Sequence, residues 1–227
     1  CKILFINNCQ FYFIIHNNFG KWFQNSLIIA VFSTLGTLFF CSLAGYAFAK
    51  KEFYGKNVLF AIILSTLMIP TSVTLLPVYL TIRNLGLINT HMGIIIPSFG
   101  SAFGVFLLRQ FISTIPSSLD ESARIDGCSE FRIYWNIILP LTAPALSVLA
   151  IFTFMNQWNS LVLPLIMITT ENMKTLPLGI AGMRSETSNP WGMMMAASFL
   201  SFLPVFVVFL FARERFIEGL TAGALKG

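Results

Sequence analysis

The sequence predicts an all-α, polytopic membrane helical bundle. Charged residues make up 10% of the 227-residue chain and hydrophobic residues 56%, with 24 Phe among them. A water-soluble domain carries roughly 25% charge, and a chain this oily has too little polar side chain to cover a soluble surface. Five apolar stretches approach or exceed the bilayer-crossing length, which is about 20 residues for a helix. The Lys and Arg residues lie between these stretches and form no basic stripe, which sets nucleic acid aside and gives the charges a topological use.

The five expected spans cover residues 26–49, 58–80, 92–112, 141–168 and 193–212. Pro70, Pro77, Pro97, Pro164 and Pro204 fall within them and predict kinked helices packed against neighbours that satisfy the freed backbone groups. Gly100 and Gly104 form a G-x-x-x-G pattern in the third span, for which intramolecular packing is the simpler reading and a dimer seam the alternative.

Nine of the 14 cations fall on one side of such a chain: Lys50, Lys51, Lys56, Arg109, Arg124, Arg132, Arg213, Arg215 and Lys226. Five fall on the other: Lys2, Lys21, Arg83, Lys174 and Arg184. The positive-inside bias then puts the larger set and the C-terminus in the cytoplasm and residue 1 outside. Five spans from an external residue 1, which is Cys rather than Met, lead to the expectation that a first span is missing. Cys1, Cys9, Cys41 and Cys128 form no C-x-x-C pair, and His16 and His91 lie far from Cys41 and Cys128, so no metal site is expected. Cys1 and Cys9 pair only if both face an oxidising compartment.

Residues 120–132 concentrate six charges in 13 residues: Asp120, Glu121, Arg124, Asp126, Glu130 and Arg132. Ser118 and Glu121 fit a capping box, Gly127 suits a helix stop, Ser129 suits a second cap, and Pro140 ends or bends the helix that follows. Residues 117–139 are thus expected to form two short helices joined at Gly127, the second with an apolar face of Phe131, Tyr134, Trp135 and Ile138. Local pattern leaves two readings open, an amphipathic element lying on the membrane and a docking element for another protein.

Glu121-Ser122-Ala123, then Gly127 after three residues, then Ile137, Leu139 and Pro140 after nine more, resemble the "EAA" signature of permeases of ABC importers, with Ser122 at a position that is usually Ala. NFGKWFQNSLIIA (18–30), SLAGYAFAK (42–50), KTLPLGIAG (174–182), WGMMMAASFLSFLPV (191–205) and FIEGLTAGALKG (216–227) are similar to the carbohydrate-uptake, maltose-transporter-like branch. The resemblance extends over residues 17–227, a permease domain with a cytoplasmic coupling loop at 113–140, while residues 1–16 match nothing recognised. The family's usual six helices would make the missing span the first.

The resemblance implies a multi-pass subunit of the bacterial plasma (inner) membrane that imports a sugar or oligosaccharide. A sugar phosphate or polyol is the alternative substrate. It implies a second permease, as a heterodimer, two ATPase subunits and an extracytoplasmic solute-binding protein as partners, besides membrane lipid. ATP and Mg belong to the ATPase, and no cofactor to this chain, which is not an enzyme. The sequence agrees, containing no G-x-x-x-x-G-K-S/T phosphate-binding loop. ATPase coupling is assigned by resemblance to Glu121, Ser122, Ala123, Asp126, Gly127, Ile137, Leu139 and Pro140. Gly219, Leu220, Thr221, Ala222 and Gly223 are expected to form a slender tail reaching between the ATPases. A secondary transporter is the rival reading, and it would need ionisable residues near the centre of a span, where none is found.

Asn156, Gln157, Trp158 and Asn159 interrupt the fourth span. They suit sugar hydroxyls in a pathway, or hydrogen bonds between helices. Glu171, Lys174, Arg184, Glu186 and Trp191 form the larger outer connection, open to contact with a binding protein, and Arg83 and His91 are expected to be solvated.

Overall fold

The structure, a computed structural model, describes residues 18–183 and 191–224, with side chains as far as residue 207. Every regular element among the described residues is helical. Cys1, Cys9, Arg184 and Glu186, and the expectations attached to them, lie outside the described residues.

Helix α1, Phe19–Lys50, is the single straight helix long and apolar enough to cross a bilayer among the described residues. It runs 32 residues with no proline and ends on Lys50, a cation at the negative end of its dipole. The next three expected spans are each broken. Residues 58–80 do not make one kinked helix: α2, Lys56–Ser65 with a 3-10 turn to Met68, meets α3, Thr71–Asn84, at 107°. Pro70 forces this, because the residue before a proline is pushed out of the helical region, and Ile69 has φ −85° and ψ 119°. Pro77, in contrast, is carried inside α3.

The third span divides into α4, His91–Ser98, and α5, Ala102–Ile112, bent by 42°. Carbonyls freed at that break take donors from α1: Thr37 Oγ1 reaches Ser98 O at 2.9 Å, and Cys41 Sγ reaches Ser101 O at 3.5 Å. Ser101 then caps α5 by accepting from the Gly104 amide at 3.0 Å. α6 is Ser117–Ile125 and α7 is Glu130–Leu141, the latter widening into a π turn over Tyr134–Ile138. Pro140 does not end α7. The bend, 76°, follows Leu141 and leads into α8, Ala143–Trp158. The fourth span therefore stops at Trp158, and a separate helix, α9, covers Val162–Met167. α10 is Leu176–Gly182 and α11 is Trp191–Ala224. The last passes through Gly219–Gly223, so the expected slender tail has helical backbone there.

The chain divides into two compact units. Of the described residues, one gathers 18–33, 75–97, 154–183 and 191–211 around Trp22, Ala30, Phe154, Trp158 and Leu176. The other gathers 34–74, 98–153 and 212–224, and its core includes Tyr46, Phe48, Leu108, Ile133, Tyr134, Ile138 and Leu149. In the second unit α1 and α5 cross closely: a Cβ on Gly104 would stand 2.8 Å from Cys41 Sγ and 3.1 Å from Leu149. Gly100, its partner in the G-x-x-x-G pattern, has nothing within 4 Å, so only half of that pattern is a packing contact. Gly104→Val is expected to lower stability by about 1–3 kcal/mol through overpacking, with Gly100→Ala close to neutral; thermal unfolding of the solubilised protein measures both.

Candidate functional site

The site is the charged segment, and its helices form for local reasons. α6 starts after Pro116, which has no side-chain cap bond, so the capping box read from Ser118 and Glu121 is not formed. It ends in a Schellman arrangement: the Cys128 amide donates to Ala123 O at 2.9 Å and the Gly127 amide to Arg124 O at 3.0 Å. Gly127 has φ +79°, a left-handed conformation costly for any side chain. Ser129 caps α7 as expected, accepting from the Arg132 amide at 3.4 Å.

The charges do not form one polar docking face. Asp120 is buried, and its Oδ2 lies 2.9 Å from Lys50 Nζ, the two side chains being 2% and 8% exposed. Lys50 Nζ also donates to Ile115 O at 2.7 Å. Glu130 is held by three donors: Lys51 Nζ, Arg124 Nε at 3.0 Å and Tyr46 Oη at 3.1 Å. Lys51 first, with Arg124 and Tyr46, keeps the Glu130 carboxyl down to about 2, although burial acts the other way. Tyr134 is buried and its hydroxyl shares a hydrogen bond of 2.7 Å with Ser42 Oγ.

The predicted coupling residues separate into two sets. Glu121, Ser122, Asp126, Gly127 and Pro140 are exposed. Ala123 is buried in the core, and Ile137 and Leu139 pack against it. Ser122 touches no close-packed interior; its hydroxyl bonds Leu119 O at 3.1 Å within its own helix, so the Ser for Ala exchange costs the fold little. The expected apolar face of α7 also divides. Tyr134 and Ile138 turn into the core, whereas Phe131 and Trp135 stack outward, 64% and 50% exposed.

The Asn156–Asn159 quartet is not one polar surface. Trp158 is 2% exposed, stacks on Phe154 and donates Nε1–H to Ser201 O at 3.0 Å, so its ring is core and presents no open face to a sugar. Asn159 Nδ2 is used by Met155 O at 2.9 Å. Asn156 is exposed and Gln157 half-buried. The described connection around residues 171–174 is tied down as well. Asn25 Nδ2 donates to Asn172 O and Lys174 O at 2.8 and 3.0 Å, Trp22 Nε1 donates to Glu171 O at 3.2 Å, and Glu171 pairs with Lys174. His91 is half-buried, with its Nε2 3.0 Å from Asn25 Oδ1, while Arg83 is exposed. Trp191, the first residue of α11, is exposed. No cluster that could hold a metal exists among the described residues.

Sequence reasoning missed Ser42, Tyr46 and Lys50. Their signal was present: polar groups at i, i+4 and i+8 share one face of the C-terminal half of a largely apolar helix.

Trp158→Ala should cost about 3–5 kcal/mol, and Asn156→Ala almost nothing, as read by thermal unfolding. Glu130's carboxyl is depressed, so its contribution is complete above the ordinary glutamate range and is lost as pH falls through about 2. The stability gap between the unmodified chain and Glu130→Gln should therefore close as the medium is acidified over that window.

Residues 42–214 match the family described as "Binding-protein-dependent transport system inner membrane component". The chain is 38% identical over 226 residues to the arabinooligosaccharides transport system permease protein of Bacillus subtilis (strain 168), covering 100% of this chain and 80% of the relative. It is 36% identical over 204 residues to the sn-glycerol-3-phosphate transport system permease protein of Yersinia pestis bv. Antiqua, covering 89% and 73%. Its fold is that of a chain in the crystal structure of a bacterial ABC transporter involved in the import of the acidic polysaccharide alginate, with a TM-score of 0.82, 24% identity, and 91% and 79% of the two chains covered.

Proposed function

This chain belongs to the family of binding-protein-dependent transport system inner membrane components, and from that premise we propose how it works: as the permease subunit of an ATP-driven sugar or oligosaccharide importer that receives its energy through residues 113–140. The permease domain covers residues 17–227. Its partners are a second permease, two ATPase subunits that carry the ATP and Mg, and an extracytoplasmic solute-binding protein. The charged segment and the C-terminus face the cytoplasm, and Gly219–Gly223 contact the ATPases.

The observation that carries this reading is the two-sided build of the segment. Glu121, Ser122, Asp126 and Gly127 form an exposed rim, while Ala123, Asp120, Ile137 and Leu139 anchor it from beneath. A segment that only lay on the membrane would present its apolar residues along one continuous outward face. Here the α7 face is split, with Tyr134 and Ile138 buried and only Phe131 and Trp135 outward, and the outermost surface of α6 is polar apart from Leu119 and Ile125. A rigid polar rim suits a socket in a partner, and a displacement imposed there can switch a bistable bundle between two arrangements.

For the substrate, the relative at 38% identity supports a neutral oligosaccharide, and Asn156 and Gln157 offer neutral amides to hydroxyls. The relative at 36% identity supports the second reading, a phosphorylated polyol.

The test is uptake of labelled arabinotriose by cells expressing the chain with a partner permease, an ATPase and a solute-binding protein of an arabinooligosaccharide importer. Uptake should need ATP and should resist excess glycerol phosphate. Gly127→Pro should abolish it while membrane insertion stays normal, because proline fixes φ near −65° where the turn needs +79° and removes the amide that bonds Arg124 O. Normal uptake by a correctly inserted Gly127→Pro chain removes the coupling role, and uptake driven by an ion gradient after ATP depletion removes the importer reading.

A further inference from the structure

We propose that Ser42, Tyr46 and Lys50 are positioning residues, a polar ladder on one face of α1 that binds α6 and α7 to that helix as a single rigid body, so that α1 is the element to which motion of the charged segment is delivered. The inference rests on the coupling role of residues 113–140 given above.

The rungs are spaced four residues apart on α1, which stacks them along one side of the helix. Each meets a different point of the segment. Ser42 meets Tyr134 at 2.7 Å, Tyr46 meets Glu130 at 3.1 Å, and Lys50 meets Asp120 at 2.9 Å. Lys51, beside the last rung, meets Glu130 as well, and its ammonium lies 5.4 Å from the Tyr46 ring centre. The segment is thus fastened on both sides of the Gly127 turn.

Apolar packing cannot supply this hold for α6. Its buried residues are Asp120 and Ala123 alone, a carboxylate and one methyl group. Burial of so little apolar area grips weakly, and apolar contact has no direction, so helices held by it can slide. Ion pairs and charged hydrogen bonds fix distance and angle. Nor does the buried pair look like a device for stability. Taking Lys50 and Asp120 from water is expensive, and Asp120 Oδ1 is buried with no hydrogen-bond partner. What the pair does supply is a single register between α1 and α6. Arg109 adds a brace from α5: its guanidinium lies 3.9 Å from the Phe60 ring centre and Nε donates to Phe48 O at 3.4 Å, near the same end of α1.

The test uses the full chain assembled with its ATPase subunits in lipid nanodiscs. Spin labels on ketone-bearing residues at Leu35, exposed on α1, and Ser118, exposed at the start of α6, report one intramolecular distance by double electron–electron resonance. In the unmodified chain that distance should be the same without nucleotide and with ATP plus vanadate. In Lys50→Met, and in the isosteric Asp120→Asn, it should become nucleotide-dependent by roughly 5 Å, the size of a one-turn slip. The charge swap K50D/D120K should restore a single distance. A ladder that mattered only for folding would change yield or insertion and leave nucleotide without effect. The proposal is overturned if both single variants keep one nucleotide-independent distance, or if the unmodified chain already shows a shift. Co-purification of the ATPase is scored on the same samples: its loss in the unmodified chain overturns the coupling reading and the ladder's role together, whereas its retention with unchanged distances overturns the ladder alone.

Discussion

Lys50 and Asp120 are withdrawn from solvent together, and the geometry of the charged segment depends on their staying so. Removing one partner of such a pair leaves an uncompensated buried charge, at a cost of about 3–5 kcal/mol. The surrounding sequence meets the requirement at several places. α1 must stay helical for its full length to deliver Lys50, and it contains no proline. The chain leaving α5 must bring the Ile115 carbonyl to the same ammonium. The turn at Gly127 must then reverse the chain tightly enough for Glu130 to reach Tyr46 and Lys51. One ion pair therefore constrains a helix, a connection and a turn that are distant in sequence.

The contrast between α1 and its neighbours has a simple cause. The next three spans are bent by 107°, 42° and 76°, and each break has a proline within a few residues, Pro70, Pro97, and Pro140 with Pro144. In hydrocarbon, a broken helix must find partners for the backbone groups it frees. At the second break the straight helix provides them, through Thr37 and Cys41. At the third, Thr142 Oγ1 returns to Ile138 O of its own chain. α1 is thus a strut for the charged segment and a source of donors for the irregular backbone beside it.

The fold class was legible because apolar composition and span length depend on local sequence alone. The Gly127 turn and the Ser129 cap were legible for the same reason, since each is decided within about five residues. The capping box at Ser118 failed although its pattern is local: Pro116 took the cap position and Ser117 became helical. Span shape was only partly readable. Pro70 and Pro77 stand in the same expected helix, yet one breaks the chain and the other rides within α3, a difference set by the surroundings rather than by the residue. Trp158 was placed in a polar cluster because its sequence neighbours are amides, whereas its partners, Phe154 and Ser201, come from one turn earlier and from a separate helix. The Lys50–Asp120 pair was out of reach for the same reason, although the spacing of Ser42, Tyr46 and Lys50 announced a polar face that needed partners.

The signature from Glu121 to Pro140 is best understood as two superimposed demands on one short segment. Residues at the rim answer to whatever binds them, and residues beneath answer to the core. Alternation between the two explains why the pattern is spaced rather than continuous: Ala123 must be small because it lies under the helix, and Gly127 must be glycine because of its φ. It also locates the Ser122 exchange. That position lies on the rim, where a hydroxyl satisfies itself on Leu119 O, so the exchange alters the exposed surface and not the packing beneath it. The ion pair at Asp120 sits directly between the two demands, one residue from the exposed Glu121 and in contact with α1. The residues beneath the rim thus meet α1 through the buried charge of Asp120 and the apolar core through Ala123.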